Sequence, residues 1–259
     1  MTPVRPYYAE KSLSAAFYDT VAAADARLAG DLDVYAGLAP EGGQVLELGV
    51  GTGRLAFALA ERGFKVVGVD NAPAMLAQAA ARQADAHPAI ARRVELVRGD
   101  MTGIDLKQAF DLVICPAFAL AHLPRGMAWK NTFDTAARHL KSGGVAAFHL
   151  PLLDAMRDPG PGDPTTGDPG RPVLDQPTPS GARLRLFERE RSFREDVGRL
   201  DQLFEYVELD GRGEVLRQAL EQLTTYWTDP AQLAAPSGLT VEREPIALRG
   251  GEIHLFLKA

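Results

Sequence analysis

Residues 44–71 read QVLELGVGTGRLAFALAERGFKVVGVDN, and the order of elements in this stretch decides the fold. The apolar run Val45-Leu46-Glu47-Leu48 is too short for a helix and is bounded by glycines, which predicts a buried parallel strand. Gly49, Gly51 and Gly53 follow on alternate positions, where the missing Cβ lets the backbone turn sharply and approach a ligand closely. Leu55 to Glu61 is nearly all apolar and is stopped by Gly63, the pattern of a helix covered on both sides. Val66-Val67-Gly68-Val69 is a second buried strand, ending on Asp70. A strand, a glycine turn, a helix and a second strand ending in an acid describe a nucleoside-binding βαβ unit. Its acid is placed to accept hydrogen bonds from ribose hydroxyls.

The glycine spacing selects among nucleoside cofactors. A dinucleotide fingerprint requires a glycine at position 54, where this chain has Arg54, and no Gly-Lys-Ser/Thr of a phosphate-binding loop follows. A nicotinamide oxidoreductase is therefore disfavoured. The segment Glu47 to Gly53, ELGVGTG, resembles the first motif of class I S-adenosylmethionine (SAM) dependent methyltransferases. The resemblance implies that Glu47 faces the cofactor's amino group, Gly49 and Gly51 line its methionine part, and Asp70, with Asn71 beside it, holds the ribose. Val94 to Val97 is the third strand, followed by Arg98-Gly99-Asp100-Met101. The family uses an acid here to accept from the adenine amino group, and the next residue's backbone meets the ring; Asp100 and Met101 match. Asp100 also suits a turn or cap.

Phe110 to Cys115 is the fourth strand, and VICPAFALAHLP carries it over the carboxyl edge of the sheet, where open α/β folds bind ligands. Pro116, Phe118 and His122 fall there. The stretch resembles the corresponding segment of glycine N-methyltransferases and related small-molecule enzymes, which also carry a His-Leu pair. The helix containing Trp129 and Phe133 is expected to stop at Gly143-Gly144, and Val145 to Leu150 is the fifth strand, with His149 at its exit. His149 reads either as a core histidine or as a substrate contact. His122 and His149, near their ordinary pKa, are the candidate bases.

Outward from this core, Ser12 or Ser14 caps a helix running to about Ala29, and Asp31 starts a second containing Tyr35. The resemblance implies that such helices fold over the cofactor, with a tyrosine reaching the methionine or substrate end; Tyr18 either does this or anchors the helix. Asn71 is a candidate N-cap for the alanine-rich helix that follows, and His87 a solvated loop residue. Residues 156–181 carry Pro or Gly at nearly every second or third place, which excludes a helix or central strand and suggests a lid or a disordered loop. Beyond it, Arg183 to Phe193, Arg199 to Leu209 and Glu214 to Trp227 predict a three-stranded antiparallel cap with Arg189, Arg191, Glu205 and Glu208 on its exposed face. Leu239 to Leu248 and Glu252 to Lys258 are the sixth and seventh strands. Pro236-Ser237-Gly238-Leu239 stands where the family has Ala-Gly-Phe.

The expected architecture is α/β: a Rossmann-like, seven-stranded, mostly parallel sheet with helices on both faces and an inserted antiparallel cap. Residues 1–151 and 228–259 form the SAM-binding core, 152–182 the lid and 183–227 the cap. The net charge of −6 argues against nucleic acid. Cys115 is the only cysteine, so no internal disulfide or Cys-rich zinc site is expected, and no HxH, HExxH or carboxylate cluster suggests a metal. No apolar leader or eighteen-residue apolar run occurs, which predicts a cytoplasmic protein with no membrane partner, monomeric or homodimeric. Function is read as methyl transfer from SAM to a small-molecule amine or hydroxyl, nitrogen favoured, with Tyr18, Phe118 and Trp227 at the acceptor. Binding of SAM without transfer, as a cyclase or lyase scaffold or a regulatory module, is the alternative.

Overall fold

A computed structural model describes residues 3–158, 160 and 170–259. The chain divides into two compact units, Arg27–Leu152 with Trp227–Ala259, and Met1–Ala26 with Leu153–Tyr226.

The first unit is built on an eight-stranded sheet. Parallel strands Val94–Arg98, Lys65–Asp70, Gln44–Leu48, Phe110–Cys115 and Leu140–Pro151 lie side by side in that order. Gly251–Lys258 adds antiparallel to the last of these and carries Leu239–Val241 and Ile246–Leu248. The chain therefore reverses strand order on either side of Gln44–Leu48, and the glycine turn leaves from that switch point. Side-chain alternation splits the core between the two faces. Leu46, Val113, Phe133, Phe148 and Phe256 pack on one, and Val45, Leu55, Leu59, Val66 and Leu255 on the other. The helix Arg54–Glu61 ends as the sequence requires. Gly63 sits at φ +98°, with Gly63 N–H donating to Ala60 O (3.0 Å) and Phe64 N–H to Leu59 O (3.2 Å).

Several boundaries differ from the sequence reading. The helix Met127–His139 stops at Leu140, before Gly143-Gly144. The glycines lie inside the next strand, where Gly143 adopts φ +75° and a Cβ on Gly144 would come within 3.1 Å of Asp111 O. The expected sixth strand breaks in two, because Glu242-Arg243-Glu244 is polar and Pro245 has no N–H to give the ladder. Asn71 does not cap the alanine-rich helix Pro73–Asp85. Ala72 occupies the cap, and the Asp70 carboxylate accepts its N–H. His87 is exposed, yet its Nδ1 accepts from Ala89 N–H and starts a short helix.

Among the described residues the second unit is a five-stranded sheet, where three strands were expected. Val215–Tyr226, Arg199–Leu209 and Arg183–Arg194 form an antiparallel meander, Leu174–Pro177 adds at one edge, and Val4–Pro6 pairs parallel at the other. The N-terminal residues, expected with the core, thus belong with the inserted sheet. Glu221, 0% exposed, accepts from Leu13 N–H (2.6 Å) and Ser14 N–H (3.1 Å) and fastens them there. The expected long first helix is three short pieces, interrupted at Phe17 and Asp25. Glu205 and Glu208 are buried, not exposed, because Arg189 and Arg217 reach across the strands to pair with them. Met156 and Arg157 close a short helix, Leu153–Arg157, so the Pro/Gly-rich stretch starts later than expected, and its centre, 159 and 161–169, lies outside the described residues. Among the described residues no helix is long and apolar enough to cross a membrane.

Candidate functional site

The glycine turn is held open from both ends. Gly49 N–H and Val50 N–H both donate to Val69 O, at 2.8 and 3.0 Å, which draws the turn across the end of the neighbouring strand. Gly49, Gly51 and Gly53 all have positive φ, at +81°, +56° and +79°. A Cβ on Gly49 would lie 2.7 Å from Ala119 Cβ, so the loop after Phe110–Cys115 rests directly on the turn, and Met101 Cε is 3.4 Å from the same point. Asp70 then closes the unit. Its Oδ2 accepts from Gly51 N–H and its Oδ1 from Ala72 N–H, both at 2.8 Å. Burial nonetheless raises its pKa, against the pull of those backbone donors. Each oxygen keeps one further acceptor site for a hydroxyl. Asp70→Ala should therefore weaken nucleoside binding and also cost about 2–3 kcal/mol of stability, since two backbone N–H groups lose their acceptor. A melting curve that matches wild type would show that water takes over both bonds.

Glu47 is the unusual member. It is 2% exposed, and its Oε2 has no hydrogen-bond partner among the described residues. Burial pushes its carboxyl up to about 8; Arg54 opposes the rise, while Asp31 and Asp70 add to it. Arg54 is shared, because its guanidinium also grips Asp31 through two bonds of 3.2 and 2.5 Å. Tyr35, on the helix Asp31–Ala36, is fully enclosed beside this group, and its hydroxyl also lacks a partner among the described residues. Burial first, and then Asp31, hold the phenol neutral far above its usual range. The sequence reading missed this Asp31–Tyr35–Arg54 surround. Only the amphipathic spacing of Tyr35 signalled burial, and nothing in the sequence pairs position 31 with 54.

Asp100 forms a turn: its Oδ1 accepts from Thr102 N–H and Thr102 Oγ1, both at 2.8 Å. It is exposed, Met101 is half-buried against the core, and Asn71 is exposed after Asp70. Pro116 is buried where the fourth strand ends. Beyond it, Ala117 and Phe118 both adopt left-handed backbone, φ +50° and +62°. Two consecutive non-glycine residues in that region are rare and mark a constrained loop at the ligand edge. The turn aims the Phe118 ring at His149, with ring centroids 4.3 Å apart. His149 is fully buried.

His122 ends the short turn Ala119–His122. It is not near its ordinary pKa: burial lowers it to about 4, so its imidazole is neutral at pH 7 and a weak base. His122→Ala should then reduce turnover by less than about tenfold. A hundredfold loss at unchanged cofactor affinity would restore it as the base. Trp227 is half-buried just past the strand Val215–Tyr226. Tyr18 belongs to the inserted-sheet unit, with its ring edge-on to Tyr8 at 5.8 Å. Cys115 is buried and its thiol is pushed up to about 12, which removes it as a nucleophile. Within the core unit the structure thus gathers Glu47, Gly49 and Asp70 at the turn, with Phe118 and His149 on the adjoining loop and strand.

Residues 45–144 match the family described as a methyltransferase domain. That match spans the glycine turn, Asp70 and the fourth strand, and covers less than half of the chain. Cypemycin N-terminal methyltransferase of a Streptomyces species is 37% identical over 115 residues, covering 41% of each chain. The chain spans only 43% and 41% of the length of two curated relatives it matches. The fold extends further than the sequence likeness. CcbJ methyltransferase from Streptomyces caelestis superimposes with a TM-score of 0.68 at 23% identity, covering 91% of this chain and 90% of that one. The sugar N-methyltransferase KedS8 from Streptoalloteichus sp. ATCC 53650 gives 0.68 at 20% identity, covering 93% and 92%. The likeness in fold therefore covers nine-tenths of the chain and is not confined to residues 45–144.

Proposed function

We propose that this protein transfers a methyl group from SAM to the amine nitrogen of a small molecule. The observation that carries the reading is the unpartnered carboxylate oxygen of Glu47 beneath the glycine turn of a methyltransferase domain. An acid buried there without a partner is costly to ionise and is matched by a ligand that brings its own ammonium. The glycine cradle suits a group approaching within van der Waals distance of the backbone, and the remaining acceptor sites on Asp70 suit a pair of ribose hydroxyls. When bound, SAM supplies an electrophilic methyl on a sulfonium. The protein's part is to hold the acceptor's lone pair in line and keep water out.

Nitrogen is favoured over oxygen because a neutral amine needs no base, and His122 is a poor one at neutral pH. The N-methyltransferases among the similar proteins support the same choice. A net charge of −6 favours a small acceptor over nucleic acid, and we place the protein in the cytoplasm as a monomer or homodimer. The test is incubation with methyl-labelled SAM and fractionated small-molecule amines. Label recovered on a nitrogen supports the reading, and label on oxygen alone corrects the acceptor. SAM bound at micromolar strength with no transfer to any fraction would favour a binding module instead.

A further inference from the structure

The layer beneath the glycine turn holds a second orphaned group besides Glu47. Val45 and Glu47 point to one face of their strand, Leu46 and Leu48 to the other. In cross-strand register Glu47 lies between Ile114 and Gly68, and Ile114 lies beside Ala147. A Cβ on Gly68 would stand 2.5 Å from Val50, which fills that side. Glu47 is thus an acid set in an apolar row. The helix Asp31–Ala36 covers this face, with Tyr35 packed in one cluster with Val45, Val50 and Ile114, and Asp31 one turn earlier on the same side. Asp31 is 2% exposed and Tyr35 0%. The Tyr35 hydroxyl, like Glu47 Oε2, has no hydrogen-bond partner among the described residues. The charged and titratable groups around Glu47 are Asp31 and Tyr35 from this helix, Arg54 from the next, Asp70 from one neighbouring strand and Cys115 from the other.

A phenylalanine would fill the space of Tyr35 and leave no hydroxyl to satisfy, so the hydroxyl costs stability unless something uses it. What it offers is a neutral O–H donor. Burial first, then Asp31, Cys115 and Glu47, hold the phenol protonated, and the Glu47 contribution places the hydroxyl within electrostatic reach of that carboxyl. A neutral donor stabilises a carboxylate without cancelling its charge, as an arginine or lysine would. The charge stays available to an incoming ammonium, while Arg54 remains paired with Asp31. We propose that Tyr35 is a positioning residue for Glu47: its hydroxyl donates, directly or through one shared water, to the carboxylate that forms when the cofactor's ammonium binds. This rests on the methyltransferase reading, which assigns that ammonium to Glu47.

The test compares Tyr35→Phe with the wild type by calorimetry, using S-adenosylhomocysteine and 5′-methylthioadenosine. The first carries the amino-acid ammonium and the second lacks it. The ring and its packing stay, so the variant should melt no lower than the wild type at pH 6 without ligand. It should bind S-adenosylhomocysteine about tenfold more weakly between about pH 6 and 7.5, and 5′-methylthioadenosine equally well. The pH dependence separates positioning from packing. Below about pH 8 the free protein holds Glu47 protonated, and binding must ionise it, a step the variant makes without its donor. Above that value Glu47 is ionised before and after binding, Tyr35 serves it in both states, and the deficit should shrink. Titration of the ligand's own amine cancels in the ratio of the two proteins. A lower melting temperature at pH 6, an equal loss with 5′-methylthioadenosine, or a deficit that is the same at every pH would overturn the proposal. Wild-type binding of S-adenosylhomocysteine, measured first, separates the two failures. Its absence counts against the methyltransferase reading, whereas its presence at equal strength in Tyr35→Phe counts against Tyr35 alone.

Discussion

Glu47→Gln should melt higher than the wild type at pH 7.5 in the absence of cofactor, and bind SAM at least about thirtyfold more weakly. The two effects have one cause. In the free protein the Glu47 carboxyl is enclosed with one oxygen unpartnered, and burial lifts its pKa from 4.5 to about 8. Between those values the folded chain holds a proton that the unfolded chain has released. Stability must then fall as pH rises through that window, by up to about 1.4 kcal/mol per pH unit. Glutamine has the same shape and no proton to lose, so its melting temperature should stay flat where the wild type declines. Near pH 5 the two proteins should converge. On binding, an ammonium placed at Oε2 favours the carboxylate, so wild-type SAM binding should release close to one proton below pH 8. Calorimetry in buffers of different ionisation enthalpy measures that release directly. A wild-type melting temperature unchanged from pH 5 to 8 would mean that Glu47 is already ionised, with Arg54 as its true partner.

What the sequence made legible follows from the physics of each segment. Buried parallel strands must be continuous and apolar, so Val45–Leu48, Val66–Val69 and Phe110–Cys115 could be located by hydrophobicity alone. The glycine turn and Asp70 follow from backbone sterics. Legibility stopped where a residue's role depends on a partner distant in sequence. The Arg54–Asp31 pair spans 23 positions, and the Glu221 clasp on Leu13 spans 208. The pairing of Val4–Pro6 with Val215–Tyr226 left no signal, because a three-residue exposed strand has no alternation to read. Glu205 and Glu208 looked solvent-facing for the opposite reason: charged residues in a strand signal water unless an arginine on the next strand is known to reach them. Phe118 and His149 could likewise be placed near the sheet edge, but nothing in the sequence showed that they meet over the bare backbone of Gly251.

Gly49→Ala should cost several kcal/mol of stability and abolish cofactor binding, and Ala119→Gly should return only part of the loss. The new methyl meets two obstacles of different kinds. The backbone at Gly49 sits at φ +81°, a conformation that costs a non-glycine residue about 1–2 kcal/mol wherever it occurs. Its Cβ would also stand 2.7 Å from Ala119 Cβ, well inside contact distance, and relief requires the turn or the Phe118 loop to move. Overpacking of this kind costs about 1–3 kcal/mol more. The contact is between two methyl carbons, so removing the Ala119 methyl eliminates it and leaves the dihedral cost untouched. A double-mutant cycle of Gly49→Ala with Ala119→Gly, read by chemical denaturation, therefore measures the steric part alone. A coupling of about 1–3 kcal/mol is expected, favouring the pair. Restored stability without restored SAM binding would show that the bare Cα at Gly49 is itself the surface the cofactor needs. Full recovery of both would place the cofactor elsewhere and leave Gly49 as a packing glycine. If the coupling is nil, the loop bearing Phe118 does not rest on the glycine turn, and the two move independently.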